Sequence, residues 1–301
     1  MPERHSLSLD SPLYGRISFN EPLSLHTSIK TGGPAFVWIE PGNRKQLCRL
    51  IKDAKNLEIS VFTIGEGCNI IVGNKGISEI CVRLNAPCFK KIEFKGTSVK
   101  AGAGVSLSKL LILASERSLG GYEFLAGIPG SVGGAVFGNA GAQKKSISSL
   151  LTEVEFVTPD GRVKKAKKKN LKFGYRRSNL GANIITAATF KFKRKSKKSA
   201  KSLLKKNLIK KRQTQDYTAP SAGCIFKNSG NRQLSAGELI EACGLKGKAC
   251  GGAQISTRHA NFIINKNNAK PKEIFSLIRL IKKRVKKAYG IKLEEEVKII
   301  K

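Results

Sequence analysis

Residues 121–142 read GYEFLAGIPGSVGGAVFGNAGA, and no other stretch restricts the fold as much. Seven of these residues are glycine, yet Phe124, Leu125, Ile128, Val132, Val136 and Phe137 are spread among them as core residues would be. Glycine loses more conformational freedom on folding than any other residue, so a buried backbone this bare needs a reason. One reason is close approach: successive uncovered N–H groups at Gly127, Gly130, Gly133, Gly134, Gly138 and Gly141 form a concavity that suits a diphosphate. The plainer alternative is that the glycines serve only sharp bends.

A second loop bears on that choice. Ile64 to Val72, IGEGCNIIV, ends a strand-like run in Gly65-x-Gly67 and continues through Cys68 and Asn69. It is not the dinucleotide fingerprint, because no helix follows and Asn69 to Val72 returns to strand character. Two glycine-rich loops in one α+β chain point to a long cofactor that uses both.

Around the loops the periodicity is readable. FVWIEP, then NRKQLCRLIKDAK with Leu47, Leu50, Ile51 and Ala54 on one face, then SVFTIGEG predict β-α-β. A helix is expected over 106–117, with Ser106 as its N-cap. LLTEVEFVTPDGRVKKAK predicts a hairpin turning at Pro159-Asp160-Gly161, and NIITAATFKFK a strand. A lysine-rich helix over 196–212 then leads to a C-terminal α/β unit, which holds a helix over 236–243, the strand HANFIIN and a helix opened by Pro271.

At 301 residues the chain has room for two or three substructures. The expected division is an extension over 1–21, a region over 22–194 that holds both glycine-rich loops, with parts at 22–84 and 85–194, and a C-terminal domain over 195–301. A 40% hydrophobic and 26% charged composition is that of a globular protein, and no apolar run nears the roughly 18 residues of a membrane span. MPERHSLSLDSPLYGR lacks the apolar segment of a signal peptide, so a cytoplasmic protein is expected. Seven cysteines without a CxxC pair, beside three histidines, support neither a disulfide scaffold nor a zinc site. The net charge of +35 raises polyanion binding. Its lysine runs, however, alternate with apolar stripes such as Ala200, Leu203, Leu204 and Leu208, which makes them outer faces of packed helices; no nucleic-acid recognition motif accompanies them.

PLSLHTSIKTGGPAFVWIEP, GEGCNIIV, the 121–142 stretch, FGYRRS, PSAGCIFKN, GGAQIS, HANFIIN and LEEEV occur in the order and approximate spacing of the UDP-N-acetylenolpyruvoylglucosamine reductase family. The resemblance runs from about Pro22 to Ile300. It implies an α+β fold with a vanillyl-alcohol-oxidase-type FAD-binding region and a C-terminal substrate domain, in the shorter subtype. It also implies non-covalent FAD, NADPH as hydride donor, UDP-N-acetylglucosamine enolpyruvate as substrate, and no specific nucleic-acid or membrane partner. FAD contacts are then expected at Gly65, Gly67, Cys68 and Asn69, at Gly127 to Ser131 (Ile128, Pro129 and Gly130 between them), and at Gly133, Gly134, Asn139 and Gly141.

Reducing an enolpyruvyl ether needs a hydride at one alkene carbon, a proton at the other, and stabilisation of the enolate between them. By the resemblance, Arg176 of FGYRRS holds the substrate carboxylate, Cys224 of PSAGCIFKN donates the proton where many relatives have serine, and Glu296 of LEEEV stabilises the enolate, with Glu294 and Glu295 crowding that choice. A thiol with an unperturbed pKa near ~8.5 is a workable acid at neutral pH. Tyr175, Lys227, Asn228, Gln254, His259 and Asn261 are the substrate-side candidates. Asp216 and Ser229 stand where the family pattern has proline. An FAD oxidase of the same fold, tethering flavin through Cys68, is the competing enzyme reading. A nucleic-acid-binding protein, motivated by the charge, is the competing non-enzyme reading.

Overall fold

The computed structural model describes residues 11–228 and 234–301. Ser229 and residues 1–10 of the expected extension therefore lie outside the described residues. Seven helices are described, in chain order: a turn at Ser11–Tyr14 (α1), Arg44–Asn56 (α2), Leu107–Glu116 (α3), Val132–Phe137 (α4), Lys197–Thr214 (α5), Ala236–Ala242 (α6) and Pro271–Tyr289 (α7).

Local chemistry explains most of their ends. The side chain of Asn43 accepts from the N–H of Gln46 at 3.0 Å and caps α2, which buries Leu47, Leu50, Ile51 and Ala54. Ser106 caps α3 from the position expected. Ser235 and Glu238 form a reciprocal capping box on α6. At α7, Pro271 opens the first turn and Gly290, at φ 69°, closes the last in the left-handed conformation that only glycine adopts freely. The stripe Ile274, Leu277, Ile278, Ile281 and Val285 is buried, and the lysines of α7 lie off it.

The chain divides into two compact units that are not contiguous in sequence. The first comprises Met1–Asn20, Phe36–Glu66 and Ser78–Ile209, the second Glu21–Ala35, Gly67–Ile77 and Lys210–Lys301. These units are interleaved along the chain, where the sequence reading has contiguous boundaries at 22 and 195. Residues 21–35 and 67–77 hydrogen-bond to each other and to C-terminal residues: Ile70–Val72 runs parallel to Lys298–Ile300, Ser28 Oγ donates to the Ser221 carbonyl at 2.6 Å, and Asn265 Nδ2 donates to the Ile29 carbonyl at 3.0 Å.

The first unit contains a five-stranded antiparallel sheet in the order Val163–Lys167, Leu151–Val157, Ile184–Lys191, Ser98–Gly102, Ile92–Lys95. The hairpin between its first two members turns as the sequence predicts, with Gly161 at φ 76°. Most of a four-stranded sheet, Arg16–Pro22, Pro34–Glu40, Ile77–Val82, Val61–Thr63, belongs to the same unit, and its last pair is parallel; the two strands that flank α2 are separated in the sheet by Ile77–Val82. The second unit contains an antiparallel sheet in the order Ser221–Cys224, Phe262–Asn265, Ala253–Ile255, Ala249–Cys250. Each unit has its own apolar core, the first around Leu50, Val99, Leu107, Val154 and Phe190, the second around Phe226, Ile240, Ile263, Leu277 and Ile281.

Helix α5 tests the surface reading of the charge. Ala200 and Leu204 are buried, while Lys197, Lys198, Lys205 and Lys206 are exposed. Replacing those four lysines by glutamine is expected to leave the thermal midpoint almost unchanged, since each exposed substitution is worth within about 0.5 kcal/mol. Leu204→Ala is expected to cost about 2–5 kcal/mol. Thermal denaturation of both variants against the parent checks the contrast.

Candidate active site

The glycine-rich stretch is fixed by its backbone. The N–H of Leu107 donates to the Gly130 carbonyl at 2.8 Å, that of Val132 to Val105 at 2.8 Å, and that of Gly133 to Ala103 at 2.9 Å. The loop is thereby laid against the chain that leaves the 98–102 strand. Within it lies α4, a six-residue helix that the sequence reading missed. Its signal was Ser131 ahead of Val132 and Val136: the Ser131 hydroxyl accepts from the Gly134 N–H at 3.3 Å.

The glycines fall into two kinds. A Cβ at Gly133 would sit 2.9 Å from the Ala103 Cβ, one at Gly65 would sit 2.6 Å from Ser131 Oγ, and one at Gly141 would run into the Lys145 carbonyl. These positions are glycine because protein lies against them. A Cβ at Gly130, where φ is 124°, meets nothing within 4 Å, and one at Gly134 meets only Ser131 Oγ at 3.5 Å. Here the bare backbone faces open space, the cradle that a diphosphate-bearing cofactor fits and a side chain would begin to fill.

A short hairpin is strapped to the same loop. Phe173–Gly174 pairs with Arg177–Ser178, so Tyr175 and Arg176 form the turn, with Arg176 at φ 56°. Asn139 Nδ2 donates to the Gly174 carbonyl at 2.9 Å, and Ser178 Oγ to the Phe137 carbonyl at 2.7 Å. Arg176 Nη1 donates to the Gly141 carbonyl at 3.1 Å, and its guanidinium lies 4.9 Å from the centre of the Tyr175 ring. The structure thus brings Tyr175 and Arg176 onto the glycine loop. Asn139, expected as a cofactor contact, is buried with its Oδ1 accepting from the Ser148 N–H at 3.3 Å, so one end of its amide holds the strap and the other the turn at 147–149. The hydroxyl of Ser178 was missed, having no sequence signal.

In the second unit, the strand Ser221–Cys224 pairs with Phe262–Asn265, with Cys224 opposite Phe262 and an irregularity between Ser221 and Cys224. Asn261 takes over where the ladder breaks. Its Oδ1 accepts from the Phe226 N–H at 2.9 Å, its Nδ2 donates to the Phe226 carbonyl at 2.8 Å, and its own carbonyl accepts from the Ile225 N–H at 2.9 Å. On the far side the Ile225 carbonyl accepts from the Glu296 N–H at 2.8 Å, and the Lys227 N–H donates to the Glu294 carbonyl at 2.9 Å. Asn69 Nδ2 donates to the Glu296 carbonyl at 3.2 Å. Cys224, Lys227, Glu296 and Asn69 therefore share one backbone framework. Arg176 belongs to the first unit.

The three glutamates are distinguishable. Glu294 faces Lys227 at 3.5 Å, and Glu295 is bonded to Lys282 of α7 at 2.8 Å. Burial alone would raise the Glu295 carboxyl; the hydrogen bond and charge of Lys282 outweigh it and hold the group below its ordinary value. Glu296 follows, tied through its backbone to the residue after Cys224.

The remaining candidates also have defined places. Asn228 Oδ1 accepts from the Ala236 N–H at 3.0 Å, at the start of α6, and Gln254 Nε2 donates to the Gly247 carbonyl at 2.9 Å. His259 Nδ1 accepts from the Asn261 N–H at 3.2 Å, and burial, reinforced by Lys246, lowers its pKa. Asn261 is buried, with its amide spent on Phe226. At Gly67, φ is 63° and a Cβ would run into the His26 carbonyl, which marks a packing glycine; Cys68 beside it is half-buried and in no disulfide.

Residues 35–167 match the family described as FAD binding domain, and residues 213–300 match UDP-N-acetylenolpyruvoylglucosamine reductase, C-terminal domain. The chain is 40% identical over 295 residues to the UDP-N-acetylenolpyruvoylglucosamine reductase of Halalkalibacterium halodurans, covering 97% of each. It is 36% identical over 289 residues to that of Bacillus subtilis, covering 95% of this chain and 94% of the relative. Among solved structures, the UDP-N-acetylenolpyruvylglucosamine reductase of Thermus caldophilus superposes with a TM-score of 0.82 at 32% identity, covering 95% of this chain and 99% of the other. The α+β fold expected from the sequence, with an FAD-binding region and a distinct C-terminal domain, is the fold found.

Two substitutions separate cradle from scaffold. Gly134→Val is expected to abolish FAD retention, read from the visible flavin spectrum of the purified protein, at little cost in thermal stability, because its branches enter open space. Asn261→Leu is expected to leave two backbone groups of buried Phe226 unpaired, at about 1–3 kcal/mol each, and to show as a lowered denaturant midpoint.

Proposed function

Because the chain belongs to the UDP-N-acetylenolpyruvoylglucosamine reductase family, we propose that Cys224, Arg176 and Glu296 carry out the proton and charge chemistry of that family's reaction. The reaction is the NADPH-dependent, FAD-mediated reduction of the enolpyruvyl group of UDP-N-acetylglucosamine enolpyruvate to UDP-N-acetylmuramate, a step in peptidoglycan precursor synthesis. FAD, when bound, supplies the hydride it has taken from NADPH. The residues that would hold it are the open glycines at 130 and 134 and the backbone around Ser131.

Adding hydride to one alkene carbon leaves negative charge on the other and on the carboxylate attached to it. Arg176, pinned to Gly141, is suited to hold that carboxylate and to spread the charge. Cys224 supplies the proton that quenches the carbanionic carbon, and its thiol is left as a thiolate to be reprotonated from solvent. Glu296 is assigned to stabilising the enolate that forms between hydride and proton addition. The observation that carries this assignment is the 2.8 Å bond from the Glu296 N–H to the Ile225 carbonyl, which fixes the glutamate beside the chain that bears the thiol.

Among the described residues no helix is long and apolar enough to cross a membrane. We place the reaction in the cytoplasm, and treat the lysine-rich faces as solvated surface with no dedicated nucleic-acid role.

The two half-reactions test the acid. Cys224→Ala is expected to let NADPH bleach the flavin at a near-parental rate, and to slow reoxidation by the enolpyruvyl substrate by ~10²–10⁴. Cys224→Ser is expected to recover much of the loss, and Glu296→Gln to slow the second half without rescue by serine at 224. Rapid-mixing absorbance of the flavin band reads both halves, and parental reoxidation in Cys224→Ala refutes the assignment.

A further inference from the structure

Asp216 carries a carboxylate that is only 3% exposed, in a segment that leads into the strand of Cys224. Its Oδ2 accepts from Ser256 Oγ at 2.6 Å, while its Oδ1 accepts from the Thr218 N–H at 2.9 Å and from Thr218 Oγ1 at 2.5 Å. Ser256 Oγ in turn accepts from the N–H groups of Arg258 at 3.0 Å and His259 at 3.1 Å. A hydroxyl has one hydrogen to donate and two lone pairs to accept with, so every bond Ser256 Oγ can make is used, and its single hydrogen must go to Asp216. The lock works only with an acceptor at position 216. The carboxylate meets that need: burial alone would raise its pKa, but the bonds from Ser256 and Thr218, with the Arg258 charge, outweigh burial and keep it below the ordinary range.

The lock reaches Cys224 by a short path. The Ser256 N–H donates to the Phe262 carbonyl at 2.9 Å, and Phe262 is the residue paired with Cys224 across the sheet. The same carboxylate orders Tyr217, between the two residues it bridges. The Tyr217 hydroxyl donates to Gln215 Oε1 at 2.8 Å.

We propose that Asp216 is a positioning residue for proton transfer: its carboxylate ties residues 216–218 to Ser256 and thereby fixes the strand that places Cys224. The inference rests on the reading of Cys224 as the acid. Where the family pattern has proline, whose ring stiffens the chain by fixing φ, this chain stiffens the same segment through a buried hydrogen bond.

Asparagine has nearly the same shape as aspartate but cannot complete the lock. With its oxygen toward Thr218, its NH2 faces a serine oxygen whose lone pairs are both taken; turned over, its NH2 faces the Thr218 N–H. Asp216→Asn is therefore expected to keep parental FAD content and parental bleaching by NADPH, and to slow reoxidation by the enolpyruvyl substrate by about tenfold or more, the cost of a misplaced reacting group. Ser256→Ala, which removes the other end of the bond, is expected to do the same and carries the test if Asp216→Asn does not fold. The double variant is expected to be no slower than either single one, because both remove one interaction. Reoxidation at the parental rate in the single variants, or an equal slowing of both half-reactions, overturns the positioning role. Cys224→Ala measured alongside separates the two ideas: slow reoxidation there with parental rates in Asp216→Asn and Ser256→Ala sinks this inference alone, whereas parental reoxidation in Cys224→Ala removes the acid and the inference with it.

Discussion

Three hydrogen bonds between backbones, from Leu107, Val132 and Gly133 to Gly130, Val105 and Ala103, hold the glycine-rich loop in place, and the first unit's share of the chemistry depends on them. Side chains could not have done this work without occupying the space that the cofactor needs. Glycine resolves the conflict in two ways. Where protein backbone approaches, as at Gly133 against Ala103, the absent Cβ permits contact; where nothing approaches, as at Gly134, it leaves a bare amide surface. The arginine hairpin is a second layer on the same base, since Asn139, Ser178 and Arg176 all bond to or from the loop itself.

The second unit solves a related problem with side chains. A regular ladder between the strands of Cys224 and Phe262 would bury every backbone group in sheet bonds, yet the ladder is irregular just before the thiol. Beyond Cys224, where the strand ends, Asn261 presents one acceptor and one donor to Phe226, as a neighbouring strand would. This frees the chain to leave the sheet geometry while remaining fixed, and Glu296 is bonded to the stretch so released. Buried polar groups of this kind contribute little net stability when satisfied and cost much when left unmet, which makes them effective at specifying one arrangement.

Much of this was legible in the sequence, and the boundary of legibility has a physical cause. Helices α2, α3 and α7 followed from apolar spacing, with Ser106 and Pro271 read as the starts of the last two, all local signals. The hairpin at Gly161 followed from its turn residues. Helix α4 did not, because three glycines at its ends and inside it argue against a helix on propensity; tertiary bonds to residues 103 and 105 override that weak preference. The grouping of residues 21–35 and 67–77 with the C-terminal part was equally hidden, since neither end of a pairing such as Ile70 with Lys298 announces its partner. Of the site, ordered motifs pointed to Arg176, Cys224 and Glu296. The bonding of Asp216 to Ser256 and of Asn261 to Phe226 required coordinates, because a buried polar side chain reads in sequence like any surface one.

The interleaved course of the second unit also dictates an order of events during synthesis. Residues 21–35 and 67–77 leave the ribosome early, but the strand that flanks Ile70–Val72 is Lys298–Ile300, more than two hundred positions later in the numbering. Contacts so distant along the chain must close a long loop before they return any stability, and such closures are slow. The first unit, whose core draws on residues no later than Leu208, can consolidate while the nascent chain still grows. The early segments of the second must wait, with buried-to-be residues such as Ile29 and Ile71 uncovered, until translation delivers their partners. The span from Ile70 to Lys298 therefore marks a window in which a half-made chain is most exposed to chaperones and proteases, and the final strand closes it.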